Sequence, residues 1–140
     1  MIFRFADRFV RAAPVSGGTI SFYGGANLTT ILKQSTPHGL TVRIPALDLL
    51  LGGQPDAVPE LARLASPVFL VDRKDPPLLL LHGDQDLQMP VNQALELFGA
   101  YREVGATVQL EIVPGAAHGG SVFYDEQRLK RVMRFLSRHF

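Results

Sequence analysis

The chain has 140 residues, room for one domain with a usable hydrophobic core. Its 14 Lys and Arg nearly cancel its 13 Asp and Glu, leaving +1, which argues against an electrostatic nucleic-acid binder. Cysteine is absent, so disulfides and thiolate-held metals are excluded. The N-terminal MIFRFADRFVRAA interleaves charges with apolar residues, and no run approaches the roughly 18 apolar residues of a membrane span. A cytoplasmic protein with no membrane partner is expected. The four histidines are not clustered at metal-ligand spacing, so neither a metal nor another cofactor is expected.

In chain order, Ile2, Phe5, Ala6, Phe9 and Val10 recur at helical spacing, which predicts an amphipathic helix over 2–12. Pro14 and Gly17-Gly18 punctuate it. TISFY (19–23) reads as a short buried strand, and Asn27 as the cap of a brief helix, LTTILK. From Gly39 to Ser66 the pattern weakens. ALDLLLGG and DAVPELARLAS read as short helices broken by Gly52, Gly53, Pro55 and Pro59, and SPVFLVDRKDPP as an extended loop.

Order then returns with a strand over 78–81 and a helix over 90–104, which Pro90 begins and Gly105 ends. Val91, Ala94, Leu95, Phe98 and Tyr101 form its inward face. A strand over 107–113 follows. A last helix over about 124–138 turns Leu129, Val132, Met133 and Leu136 inward, with its acids first and Arg134 and Arg138 near its end. Apolar strands alternating with helices predict a three-layer α/β fold: a short parallel sheet of about three strands covered by helices.

In such a sheet, loops at the carboxyl ends of the strands line the ligand crevice. Asp84 and Asp86 follow the strand LLLL, and His118 lies in PGAAHGG after the next parallel strand. An acid and an imidazole are thereby delivered to one edge of the sheet. A carboxylate bonded to an imidazole sets its tautomer and equips it as a general base.

The stretch PPLLLLHGDQDLQMPVNQALELFGAYREVGATVQLEIVPGAAHGG resembles the C-terminal half of α/β-hydrolases, in the esterase and prolyl-oligopeptidase-like branch. The resemblance implies that Asp86 is the triad acid and His118 the triad base. Asp84 misses the acid position and reads as a turn residue. SFYGGANLTTIL is similar to the family's F-Y-G-P-x-D-L loop, with Gly25 for proline and Asn27 for aspartate, and residues 39–66 to a small cap-like excursion. The whole of 1–140 is expected to be one partial domain.

The family's G-x-S-x-G elbow, which carries its serine, has no counterpart in these residues. The nearest stretch is PVSGG, where Pro14 replaces the first glycine and a strand follows instead of a helix, so Ser16 reads as a turn residue. Two functions are therefore carried forward. One is the C-terminal part of a serine hydrolase acting on esters, completed by a nucleophile from elsewhere. The other is an inactive truncated homologue that folds as a homodimer through the open sheet edge at 19–23. His82 reads as a packing residue, His38 as loop, His139 as solvated, and the basic last helix as a solvated face.

Overall fold

The computed structural model describes residues 17–139. The helix expected over 2–12 and Ser16 lie outside them. Three parallel strands, β1 (Thr19–Phe22), β2 (Leu78–Gly83) and β3 (Val108–Val113), form one sheet in the order β1-β2-β3. Thr19 pairs with Leu78 and Leu78 with Val108, so all three strands run out at the same rim.

The leucine run of β2 is explained by its position in mid-sheet. Side chains alternate across a strand. Leu79 and Leu81 therefore join Val113, Phe123 and Phe135 on one face, while Leu78 and Leu80 join Tyr101 and Ala106 on the other. With both faces covered, no position of β2 can be left polar by default. The first face is covered by α5 (Glu126–His139) and the short 3-10 helix Ser121–Tyr124 before it. The second is covered by α4 (Asn92–Glu103), which closes at Gly105 in the left-handed conformation, φ +72°.

Between β1 and β2 the chain makes α1 (Ile31–Gln34), α2 (Pro37–Leu51), α3 (Pro59–Leu64) and a 3-10 turn at Pro67–Phe69. Here the structure departs from the sequence pattern. One helix begins at Pro37, places His38 in its first turn and continues through Pro45 to a left-handed Gly52. Thr36 caps it by accepting a hydrogen bond from the Gly39 amide at 3.0 Å. Periodicity is weak because α2 is apolar nearly all round: Leu47 and Leu51 are buried, while Val42, Ile44, Leu49 and Leu50 are exposed. The helix that Asn27 is expected to cap is shorter than LTTILK, but Asn27 does bond as a cap: its carbonyl accepts from the Ile31 amide at 3.1 Å. Its side chain accepts from the Thr29 amide, and α1 starts only at Ile31.

Two helices keep part of the expected inward face, Ala94, Phe98 and Tyr101 on α4 and Val132 on α5, and depart from it at single positions. Leu129 and Met133 are exposed and Phe135 is the buried anchor of α5. The cause is Glu111 on β3, which holds Arg128 Nε at 2.9 Å and Arg131 Nη1 at 2.8 Å and so turns the helix toward its arginines. On α4, Leu95 is exposed and Gln93 is fully buried. Among the described residues, no helix is long and apolar enough to cross a membrane.

The rim where β2 and β3 end is stitched by backbone. The Asp84 amide donates to Val113 O at 3.3 Å and the Gln85 amide to Ala116 O at 3.0 Å. At Gly83 an added Cβ would lie 2.1 Å from Ala116 O, and backbone cannot yield as a flexible side chain does. Gly83→Ala is therefore expected to cost about 2–3 kcal/mol through overpacking, read as a lower urea midpoint. An unchanged midpoint would contradict this close approach.

Candidate active site

Asp86 occupies the turn that follows β2 and its side chain is buried. Its Oδ1 accepts hydrogen bonds from the amides of Gln88 at 2.9 Å and Met89 at 2.8 Å. Its Oδ2 accepts one from His118 Nδ1 at 2.7 Å. A carboxylate oxygen can only accept, so Nδ1 of His118 carries a proton, and in the neutral ring Nε2 is then the acceptor. Among the described residues Nε2 makes no hydrogen bond, and the ring is partly open to solvent. The sheet thus brings together the two residues expected to meet. Asp84 instead accepts from the Gly115 amide at 2.7 Å, tying the two rim loops together.

His118 stands on a loop whose Gly115, Gly119 and Gly120 all have positive φ. Such a loop needs outside support to hold a ring in one orientation. Tyr23 supplies it from the end of β1, with its ring centroid 4.7 Å from that of His118. Its hydroxyl is 3.0 Å from that of Tyr124, on the far side of the histidine loop. Hydrogen bonding to Tyr124, with burial second, raises the Tyr23 pKa above its ordinary 10.0. Among the described residues Tyr23 is the one non-glycine with positive φ, +42°. Strain of this kind persists where the surroundings over-determine it. Tyr23 is a site residue that spacing alone does not single out; its signal in the sequence is an aromatic at a strand's carboxyl end.

The acid turn itself is held on three successive carbonyls. Thr36 Oγ1 donates to Leu87 O at 2.7 Å, Arg43 Nε to Gln88 O at 3.2 Å, and His82 Nε2 to Met89 O at 2.9 Å. Met89 also plugs the core beneath α1, α2 and α3, beside Ile31, Leu47, Leu51 and Ala62. A second polar knot holds the loop after β1. Gln93 Oε1 accepts from the amides of Ala26 and Asn27 at 2.9 and 2.7 Å, and Glu96 accepts from Asn27 Nδ2 at 2.6 Å. Among the described residues no group of three His, Asp or Glu side chains is arranged to hold a metal.

Comparison with known proteins decides the family. The BD-FAE family model matches residues 11–101. The chain belongs to the BD-FAE family. Its fold is that of the α/β-hydrolases, of which it makes up part. Esterase LipQ of Mycobacterium tuberculosis is 38% identical to this BD-FAE chain over 117 residues, 83% of the chain but 25% of LipQ. Esterase LipC of the same organism is 42% identical over 65 residues, 46% of the chain and 16% of LipC. Among solved structures, a truncated form of a carbohydrate esterase from gut microbiota superposes with a TM-score of 0.76 at 27% identity. That match covers 87% of this chain and 42% of that one. An acylaminoacyl peptidase of Pyrococcus horikoshii gives a TM-score of 0.71 at 26% identity, over 88% of this chain and 20% of its own. The BD-FAE chain spans a quarter or less of the length of these two curated esterases.

His82 is fully buried beside the acid. Burial lowers its pKa below the ordinary 6.5 and outweighs the opposing pull of the Met89 carbonyl and Asp86, while His118 lowers it further. Unfolded, the same ring binds a proton below about pH 6.5, where the folded chain resists it. Its contribution to stability is therefore complete above that value and is lost as pH falls toward the depressed folded pKa. Urea unfolding at about pH 7.5 and about pH 5.5 should give a lower free energy at the acid end, and His82→Gln should shrink the difference. A difference of the same size in His82→Gln would assign the effect to other groups.

Proposed function

We propose that Asp86 and His118 are the acid and the general base of a serine hydrolase acting on carboxylic esters. On this reading the nucleophilic serine comes from a segment outside these 140 residues or from a second polypeptide. The observation that carries it is the 2.7 Å bond from His118 Nδ1 to Asp86 Oδ2, with Nε2 left as an unencumbered base. The esterase names borne by LipC, LipQ and the gut carbohydrate esterase support an ester substrate.

The chemistry follows from the tautomer. Nε2 takes the proton of the serine hydroxyl as oxygen attacks the ester carbonyl, and the imidazolium is stabilised by the buried carboxylate. The same proton passes from Nε2 to the alkoxide as its bond to the carbonyl carbon breaks; the alcohol leaves and the acyl group stays on the serine oxygen. Water then repeats the sequence and releases the acid. Residues 39–66, packed behind the acid turn, form part of the cap that meets the substrate.

A fluorophosphonate probe tests the division of labour. The 140-residue chain alone should show no labelled serine, since it contains no elbow; a labelled serine within it would overturn the reading. Joined to an upstream strand and G-x-S-x-G segment, it should hydrolyse short esters. His118→Ala and Asp86→Asn should each reduce kcat roughly ten-thousand-fold. Activity indifferent to both would not be triad chemistry.

The second reading, a non-catalytic chain that folds as a homodimer, is favoured by one observation. β1 is paired on one side only among the described residues, leaving an apolar strand edge. Such edges recruit other strands. Light scattering at tens of micromolar (a rough range for weak association) should then report a dimer, and a strictly monomeric species would count against this reading.

A further inference from the structure

We infer that His82 is the positioning residue of the acid turn, through one N–H group that holds Met89 and faces Asp86. The inference rests on reading Asp86 and His118 as a functional pair, but not on where the serine comes from.

The bonding assigns the His82 tautomer. A carbonyl oxygen accepts and cannot donate, so the 2.9 Å contact with Met89 O places the proton on Nε2. The same nitrogen lies 3.4 Å from Asp86 Oδ2, the oxygen that receives His118. Nδ1 of His82 is buried with no partner among the described residues. Leaving an acceptor bare in the interior is costly, and an apolar side chain would avoid that cost. The polar ring is therefore explained by what Nε2 does.

Nε2 closes a ring of contacts. His82 holds the carbonyl of Met89, the Met89 amide donates to Asp86 Oδ1 at 2.8 Å, and Asp86 Oδ2 receives His118 at 2.7 Å. Met89 is thus gripped on both sides of its backbone, and the carboxylate can rotate only by breaking one of these bonds. Of the three side chains on the carbonyls of 87–89, Thr36 makes an exposed bond, Arg43 a half-buried one, and His82 alone a buried one. A hydrogen bond shielded from water is the one that constrains most.

The test is nitrogen and proton NMR of the imidazoles in the 140-residue chain, which needs no nucleophile. Wild-type His82 should show a protonated Nε2 and a bare Nδ1 between about pH 6 and pH 8. A protonated Nδ1, or a cationic ring, would overturn the inference. The Nδ1 proton of His118 should be visible in wild type and in His82→Gln, whose amide restores a donor near Nε2. In His82→Leu its exchange with water should speed up by roughly tenfold or more. Unchanged exchange in His82→Leu, or loss of the signal in His82→Gln, would also overturn it. If His82→Leu fails to fold, the wild-type tautomer and the glutamine rescue still decide. Should a supplied serine give no ester hydrolysis while these spectra behave as stated, the proposed function fails and the positioning role stands.

Discussion

At Gly83 the end of one strand passes so near the carbonyl of Ala116 that a side chain has no room between them. The rest of the site depends on that contact. It lets the Gln85 amide reach Ala116 O, and it lets Asp84 reach the Gly115 amide. Two loops that begin on neighbouring strands thereby become one rigid rim. Asp86 and His118 each hang from one side of that rim, 32 residues apart in the chain and 2.7 Å apart in space. Parallel register alone would bring the strand ends near one another. The glycine brings them into contact.

The sheet's role is to make this rim inexpensive to hold. β2 is covered on both faces, so its backbone is shielded and its direction fixed before any loop is considered. The polar side chains that enter the buried region beside the site each find at least one partner there. His82 finds Met89 O, Gln93 finds two amides of the loop after β1, and Asp86 finds two amides and an imidazole. Each such group would be a liability if its partner moved. Satisfied polar groups in a packed interior therefore specify loop position more sharply than apolar contacts, which tolerate sliding.

Much of this was legible in the sequence because it obeys short-range rules. An apolar run between Pro77 and Gly83 reads as a buried strand, and the helix between two such runs makes them parallel. The carboxyl-edge rule then brings Asp86 and His118 to one place without any knowledge of distance. What was hidden depends on partners remote in the chain. Leu129 and Met133 read as core by spacing, but Glu111, on a different element, turns the helix toward Arg128 and Arg131. Gln93 is not among the apolar positions that spacing turns inward, and nothing near it in sequence announces two amides 66 and 67 residues away. Tyr23 sits in a visible motif, yet its positive φ and its stacking on His118 arise only when the histidine loop folds over it.

The longest misreading concerns α2, and its cause links the excursion to the chemistry. Pro45 lacks the amide that would bond Thr41 O, so local propensity disfavours a continuous helix through it. The helix continues because it is held at both ends by contacts outside itself. Near its start, Gly39 lies so close to the acid turn that an added Cβ would meet Leu87 O at 2.9 Å, and Thr36 and Arg43 bond the carbonyls of 87 and 88. Near its end, Leu47 and Leu51 are buried with Ala62 and Met89. Met89 belongs to both groups: its side chain lies in the excursion's core and its backbone is gripped by Asp86 and His82. The helix that looked least regular is thus fastened directly to the turn that aims the carboxylate. Displacing α2 would reach Asp86 through Leu87, Gln88 and Met89, whose carbonyls are each held by a side chain.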